Sequence, residues 1–279
     1  MGKTIATYST LGKNGRLANA MFQVAFTIAY ALDYNKDFVF PEWFYSQWME
    51  KKLPIGNVEN AIQVAVEFHY APIQDYPIRN VDFRYAHAQS SKYFAHHWDA
   101  IKPYLTLKEE YKKMVLNRYD HMLFRNNTCS IHVRLGDYDN PLNRAYHGVM
   151  PVSYYEEAIK RIYGEPNPSD VVFLILSDEP EKAKQMFNLP NMFFVEGNDE
   201  IIPKAKDISG LPIGNGDLPD LYLMSQCTNN IIGNSSFSWW GAWMNENPKK
   251  QVVAPKNWFA GKDAPQITKD IYCDGWITI

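Results

Sequence analysis

Cysteine is scarce in this chain: Cys129, Cys227 and Cys273 are scattered among 279 residues, odd in number and without a CxxC spacing. Neither a disulfide framework nor a zinc site is suggested, and a reducing, cytoplasmic compartment is the expectation. Seven histidines are present, but they show no spacing typical of zinc ligands. A strong charge bias is lacking too. The net charge of −3 argues against nucleic-acid binding through bulk electrostatics, while leaving room for a local phosphate pocket. No run reaches the roughly 18 uncharged apolar residues of a membrane span. The opening residues, 1–10, have no basic segment followed by a long apolar run, so no signal peptide is expected. Repeats and low-complexity segments are also missing. What is there is a globular balance, 46% hydrophobic and 21% charged, at a length that suits two domains.

The chain opens on a short strand, Thr4 to Tyr8, and a turn containing Gly12, Asn14 and Gly15. A long helix follows from about Arg16 to Asp33. It is apolar nearly all round, which predicts burial. Its polar exceptions, Arg16, Asn19, Gln23, Thr27 and Tyr30, follow helical spacing and fall in one stripe. That stripe is either an internal hydrogen-bond network or, at its first turn, the wall of a cleft. Residues 40–120 are aromatic and irregular. From about residue 128, β-rich runs at Cys129–Arg134, Val171–Leu176, Met192–Val195, Asn230–Ile232 and Gln251–Val253 alternate with helical patterns at Val152–Tyr163, Pro180–Phe187, Pro219–Cys227 and Phe237–Asn245. Such alternation predicts a mainly parallel sheet with helices on both faces, which binds ligands beyond the carboxyl ends of its strands.

Three clusters sit at those ends. In the first, 131–138, alternation puts His132 and Arg134 on one face. Two cation-capable donors there make a diphosphate clamp, or Arg134 merely pairs with Asp137 to pin a loop. In the second, Asp178 follows a strand and precedes Glu179-Pro180. It reads first as a helix cap, with acceptance of a guanine edge as the alternative. The third, 231–243, sets Asn234, Ser235 and Ser236 at a helix start, where backbone N–H groups receive an anion. Its Trp239, Trp240 and Trp243 serve as core or as a sugar-facing wall. Gly2-Lys3-Thr4 lacks the strand and loop of a P-loop, and Gly214-Asn215-Gly216 lacks the third glycine of a dinucleotide fingerprint. Asp137-Tyr138-Asp139 is a DxD triplet of the kind that holds a divalent metal in some transferases.

Taken together, the clusters resemble the α-1,2-fucosyltransferase family. Residues 15–23 (GRLANAMFQ) are similar to its G-x-L-G-N-Q-M-F-Q segment, His132 to Tyr138 to its H-x-R-x-x-D-Y motif, and 234–243 (NSSFSWWGAW) to its N-S-S/T-F-S-W-W-G-A-W segment. The chain departs from the pattern at Ala18 and Ala20, and at Leu135, where the family often has a second Arg. The resemblance implies a GT-B fold of two facing Rossmann-like domains. Residues 1–122 would form the acceptor-side lobe and 123–279 the lobe binding GDP-fucose, with the last helix packing back on the first lobe. It further implies an inverting transfer of fucose to a glycan hydroxyl, with no metal required. Arg134 would neutralise the leaving phosphate and His132 and Asp178 would contact guanosine. Ser235 and Ser236, flanked by Asn234 and Phe237, would hold phosphate oxygens. Asn19, with Arg16 and Leu17 beside it, would face the donor from the first lobe. Asp137 is the candidate base. The competing expectations are a metal-dependent GT-A-type transferase using the DxD triplet and a non-catalytic carbohydrate-binding protein.

Overall fold

The computed structural model describes residues 2–13, 15–84, 87–123, 127–136, 138, 140–202 and 216–279. They form two compact units, one from residues 1–109 with 267–273, the other from 110–266 with 274–279. Each is an α/β unit built on a parallel sheet.

The first unit holds strands β1 (Ile5–Thr7), β2 (Asp37–Val39), β3 (Ile62–Gln63) and β4 (Val81–Asp82) in the order β2-β1-β4-β3, every pair parallel. Helix α1 (Leu17–Asp33) crosses from β1 to β2, and the single-turn α2 (Trp98–Ile101) lies near the end of the unit. The interior of α1 is almost wholly buried, as its all-round apolar surface requires. The polar stripe divides: Gln23, Thr27 and Tyr30 are buried, Asn19 is half-buried and Arg16 is exposed. The Tyr30 hydroxyl donates to the Gln74 carbonyl at 3.3 Å. Segment 267–273 belongs to this unit as a 3-10 turn (Lys269–Ile271) rather than a helix. Asp270 fastens it there, accepting from Lys92 Nζ and from the Tyr70 N–H.

The second unit begins at Glu110, the second residue of α3 (Glu109–Leu123), earlier than the division after residue 122 expected from sequence. Arg118 and Tyr119 of α3 bond into it, to the Gly197 carbonyl at 2.9 Å and Asn198 Oδ1 at 2.8 Å. Its strands are β5 (Asn127–Val133), β6 (Val171–Ser177), β7 (Met192–Phe194), β8 (Asn229–Ile231), β9 (Val252–Ala254) and β10 (Ile277–Thr278). They pair in parallel in the order β10-β9-β8-β5-β6-β7. The helices are α4 (Pro141–His147), α5 (Val152–Tyr163), α6 (Pro180–Lys184), α7 (Asp217–Ser225) and α8 (Ser236–Trp243). Within this unit the strand order is that of the doubly wound dinucleotide fold, and it reverses between β5 and β8. β5 is buried along nearly its whole length, as a central parallel strand covered on both faces must be.

Trp239 and Trp240 are fully buried, and Trp243 stacks on Trp239 at 5.5 Å. The first two tryptophans are core, leaving no sugar-facing role for their rings. Cys129 and Cys227 are buried and Cys273 is half-buried, and none of the three forms a disulfide. Among the described residues no helix is long and apolar enough to cross a membrane.

Candidate active site

The reversal between β5 and β8 opens a crevice at their carboxyl ends, because crossover connections run away from it in opposite directions. Register places Val133 beside Ser177 of β6, and Ile131 beside Ile231 of β8. Neighbouring strands lie about 4.8 Å apart. The residues that leave β8, β5 and β6 therefore emerge side by side, although they are some 44 to 100 positions apart in sequence.

Arg134 leaves β5 with its Nη1 2.7 Å from Asp178 Oδ2, and Asp178 Oδ1 accepts the Leu135 N–H at 2.9 Å. Asp178 thus does not cap α6: Glu179 occupies that position, and Ser177 Oγ accepts the Glu179 N–H. The carboxylate holds the 134–135 turn instead. Gly136 is needed beside it, since a Cβ there would press on Oδ2 and lie 3.1 Å from Cγ of Asp178. The guanidinium sits 5.6 Å over the Tyr138 ring, and the Tyr138 hydroxyl donates to the Asn234 carbonyl at 3.3 Å. Tyr138 therefore links the loop after β5 to the loop after β8.

His132 is buried, and burial pushes its pKa down to about 4, with the Arg134 charge adding to the effect and Asp178 opposing it. It is neutral at pH 7. The expected pair of cations reduces to one, Arg134, and His132 contributes a hydrogen-bonding ring. Its Nδ1 has no hydrogen-bond partner among the described residues, and its ring lies 5.4 Å from that of Phe237. An orphaned buried polar atom at the end of a central strand is costly unless something binds there.

After β8, Gly233 passes so close to the His132 carbonyl that a Cβ would come within 3.2 Å. Two tyrosines of α5 set these strand ends: Tyr154 donates to the Ile232 carbonyl at 2.6 Å and Tyr155 to the His132 carbonyl at 3.3 Å. Asn234 is buried, with Nδ2 between 2.7 and 3.2 Å from the carbonyls of His147, Gly148 and Trp258. Its side chain braces the turn from behind. Ser235 is the N-cap of α8 and accepts the Phe237 N–H at 3.3 Å. Ser235, Ser236 and Phe237 are the partly exposed residues of a segment otherwise buried from Ile231 to Ala242. The first turn of α8 and its positive dipole end thus open at the same crevice as Arg134. Asp137 and Asp139 lie outside the described residues.

In the first unit, Arg16 precedes α1 as its N-cap, Leu17 is buried, and Asn19 Oδ1 accepts from Gln89 Nε2 at 2.9 Å. Gly15 has φ +88° and no room for a side chain, because Asn19 folds over it. This turn follows β1 at that sheet's own reversal, between β1 and β4. There Asp82 accepts from the Ser9 N–H at 3.0 Å, Ser9 Oγ at 2.7 Å and Arg84 Nε at 2.7 Å. Sequence reading missed Ser9, Asp82 and Arg84. The available signal was an acidic residue closing a short apolar run, Val81-Asp82-Phe83.

A crevice with one fixed guanidinium, a neutral buried imidazole and a capped helix N-terminus suits the nucleotide diphosphate of a glycosyl donor. The sequence model of glycosyl transferase family 11 matches residues 2–279, and the chain belongs to that family. It is 35% identical over 207 residues to the O-antigen biosynthesis glycosyltransferase WbnK of Escherichia coli. It is 30% identical over 175 residues to an alpha-1,2-colitosyltransferase of the same organism. The matches cover 72% and 61% of this chain but 62% and 54% of those relatives' lengths. Among solved structures, the fucosyltransferase NodZ from Bradyrhizobium matches with TM-score 0.51 at 14% identity, over 86% of this chain and 92% of that one. An Arabidopsis thaliana FUT1 mutant in complex with GDP matches with TM-score 0.57 at 12% identity, over 92% and 72%. At these identities the likeness is one of fold, the two-unit parallel-sheet architecture of GT-B glycosyltransferases.

Proposed function

We propose that the chain is an inverting fucosyltransferase that moves fucose from GDP-fucose to a glycan hydroxyl, the 2-hydroxyl of a terminal galactose or a similar sugar. The observation that carries this reading is the convergence of Arg134 and the Ser235–Ser236 turn at one sheet reversal. Family membership and the naming of NodZ as an alpha-1,6-fucosyltransferase soaked with GDP-fucose support the donor. The α-1,2 linkage is supported by the name of the colitosyl-transferring relative.

Cleavage of the sugar–phosphate bond builds positive charge on the fucose ring and negative charge on the leaving GDP. Arg134, held rigid by Asp178, and the N–H groups of the first turn of α8 meet that negative charge without reorganising as it forms. Ser235 and Ser236 supply hydroxyls to the phosphates. Neutral His132 offers its orphaned nitrogen to the guanosine, Asp178 its remaining lone pairs, and Phe237 an apolar face. Asn234 keeps the turn in place. Removal of the acceptor proton is assigned to Asp137, and roles in transfer to Asn19, Arg16 and Leu17. Charge neutralisation by Arg134 and N–H dipoles makes a metal unnecessary in this scheme. Three cysteines outside any disulfide suit a reducing compartment, and we assign the reaction to the cytoplasm.

A second reading, transfer of a colitosyl residue, is favoured by the same relative's name. Incubation with GDP-fucose and GDP-colitose against a panel of galactosides, in excess chelator, separates the two when the new linkage is located. Failure of both donors, or activity that vanishes in chelator, overturns the proposal.

A further inference from the structure

A second group of chemistry-bearing side chains lies at the far end of α1, and the donor reading makes no use of it. Asp33, the last residue of α1, meets two consecutive imidazoles from the 3-10 turn Ala95–His97. His96 Nε2 is 2.9 Å and His97 Nε2 2.8 Å from the same oxygen, Oδ1 of Asp33. The two rings are 4.4 Å apart. A carboxylate has about four lone-pair sites on two oxygens, yet both nitrogens converge on one. Three donor atoms drawn to one point, from two separate elements, form the partial shell of a cation.

We propose that Asp33, His96 and His97 bind a divalent transition-metal ion of the zinc class. Imidazole nitrogen and carboxylate oxygen are the ligands such ions take when thiolate is absent. Bond lengths of about 2.0–2.1 Å at a tetrahedral centre set ligand atoms about 3.3 Å apart. The observed 2.8–2.9 Å must therefore open by roughly 0.5 Å. The side chains are 49%, 30% and 38% exposed for His96, His97 and Asp33, so they have room to reorient and water can complete the shell. Binding requires each ring to present Nε2 to the ion without a proton, the ring hydrogen then sitting on Nδ1. Asp33 and His96 also line a cavity of about 120 Å³ with Tyr30, Tyr34 and Tyr70, towards which a remaining coordination position can open. Asp33 lies fourteen positions beyond Asn19 on the helix, about 21 Å along the axis. The ion accordingly staples the end of α1 to the 95–97 turn, remote from the end of α1 that carries Asn19.

The test titrates ZnCl2 into the chelator-stripped full chain against a chromophoric competitor. One ion per chain is expected, bound in the micromolar range or tighter, with a rise in Tm. His96→Gln, His97→Gln and Asp33→Asn should each weaken binding at least tenfold, while Cys273→Ser leaves it unchanged. Far-UV circular dichroism identifies any variant that has unfolded. Cobalt in place of zinc should give visible bands without thiolate charge transfer. No uptake at 100 µM free zinc, or binding that survives the double His96→Gln/His97→Gln change, overturns the proposal.

Discussion

Replacing Gly136 with alanine should disable the proposed donor crevice without removing a single polar group from it. The added Cβ would lie 3.1 Å from Cγ of Asp178 and closer still to Oδ2. Carbon atoms pack at about 3.5–4.0 Å, so the carboxyl must retreat by roughly 0.5 Å or more. Its bonds to Arg134 Nη1 and the Leu135 N–H, now 2.7 and 2.9 Å, would then lengthen past the 3.2 Å limit of a good hydrogen bond. Arg134 loses the partner that aims it. A displacement near 1 Å at a charge-stabilising group costs on the order of 10²-fold in rate. Steady-state kcat/KM for transfer, with calorimetric GDP affinity beside it, measures the effect. The cause is isolated by a double-mutant cycle, because Asp178→Ala removes the atoms the new methyl would strike. Gly136→Ala should cost about a hundredfold in the native background and little further in Asp178→Ala. A loss below threefold, or the same loss in both backgrounds, would refute the steric argument.

Arg134→Ala should fold and lose about 10²–10³ in kcat/KM, since it deletes the guanidinium that Asp178 fixes at the crevice; retention of most activity would count against the donor assignment. His132 is neutral in the fold down to about pH 4, against an ordinary value of 6.5. Its contribution to stability is complete above pH 6.5 and falls by about 3 kcal/mol as the pH drops to 4, a slope that urea midpoints should show in the native chain and not in His132→Phe. Asp220 has the opposite sign: burial lifts its pKa from 3.8 to about 7. The proton it retains stabilises the fold below pH 4, and this is lost as the pH rises through 7. Asp220→Asn, which keeps an oxygen for Asn198 Nδ2 at 2.6 Å, should therefore raise stability at pH 8 by about 1–2 kcal/mol, less than full linkage because Asp220 keeps some exposure. Trp239→Ala, at a fully buried ring, should cost about 3–5 kcal/mol in chemical denaturation.

Local pattern carried much of this protein. The β-rich runs between Cys129 and Val253, alternating with helical patterns, predict a mainly parallel sheet, and the observed strands start and stop within about two residues of the pattern. Val152–Tyr163 is the helix its periodicity predicts, closed by Gly164 in the left-handed region. The positions that meet at the β5–β8 reversal, where we propose the donor binds, were legible for the same reason, because strand-to-helix junctions collect at one edge of such a sheet whatever else the chain does. What no local pattern contained was the partnership across those junctions. Asp178 reads as a cap because its neighbours are Glu179 and Pro180, and only the pairing of β5 with β6 puts Arg134 within its reach. His132 reads as a cation because imidazoles usually titrate near neutrality, and only the packing around it removes the water its charge would need. Histidines adjacent in sequence suggest no metal site, and only the fold of the first unit carries Asp33 to them across more than sixty residues. Hydrophobic period is a property of consecutive residues and survives in the sequence. Desolvation and long-range pairing are properties of the space between elements, and exist once the chain has closed on itself.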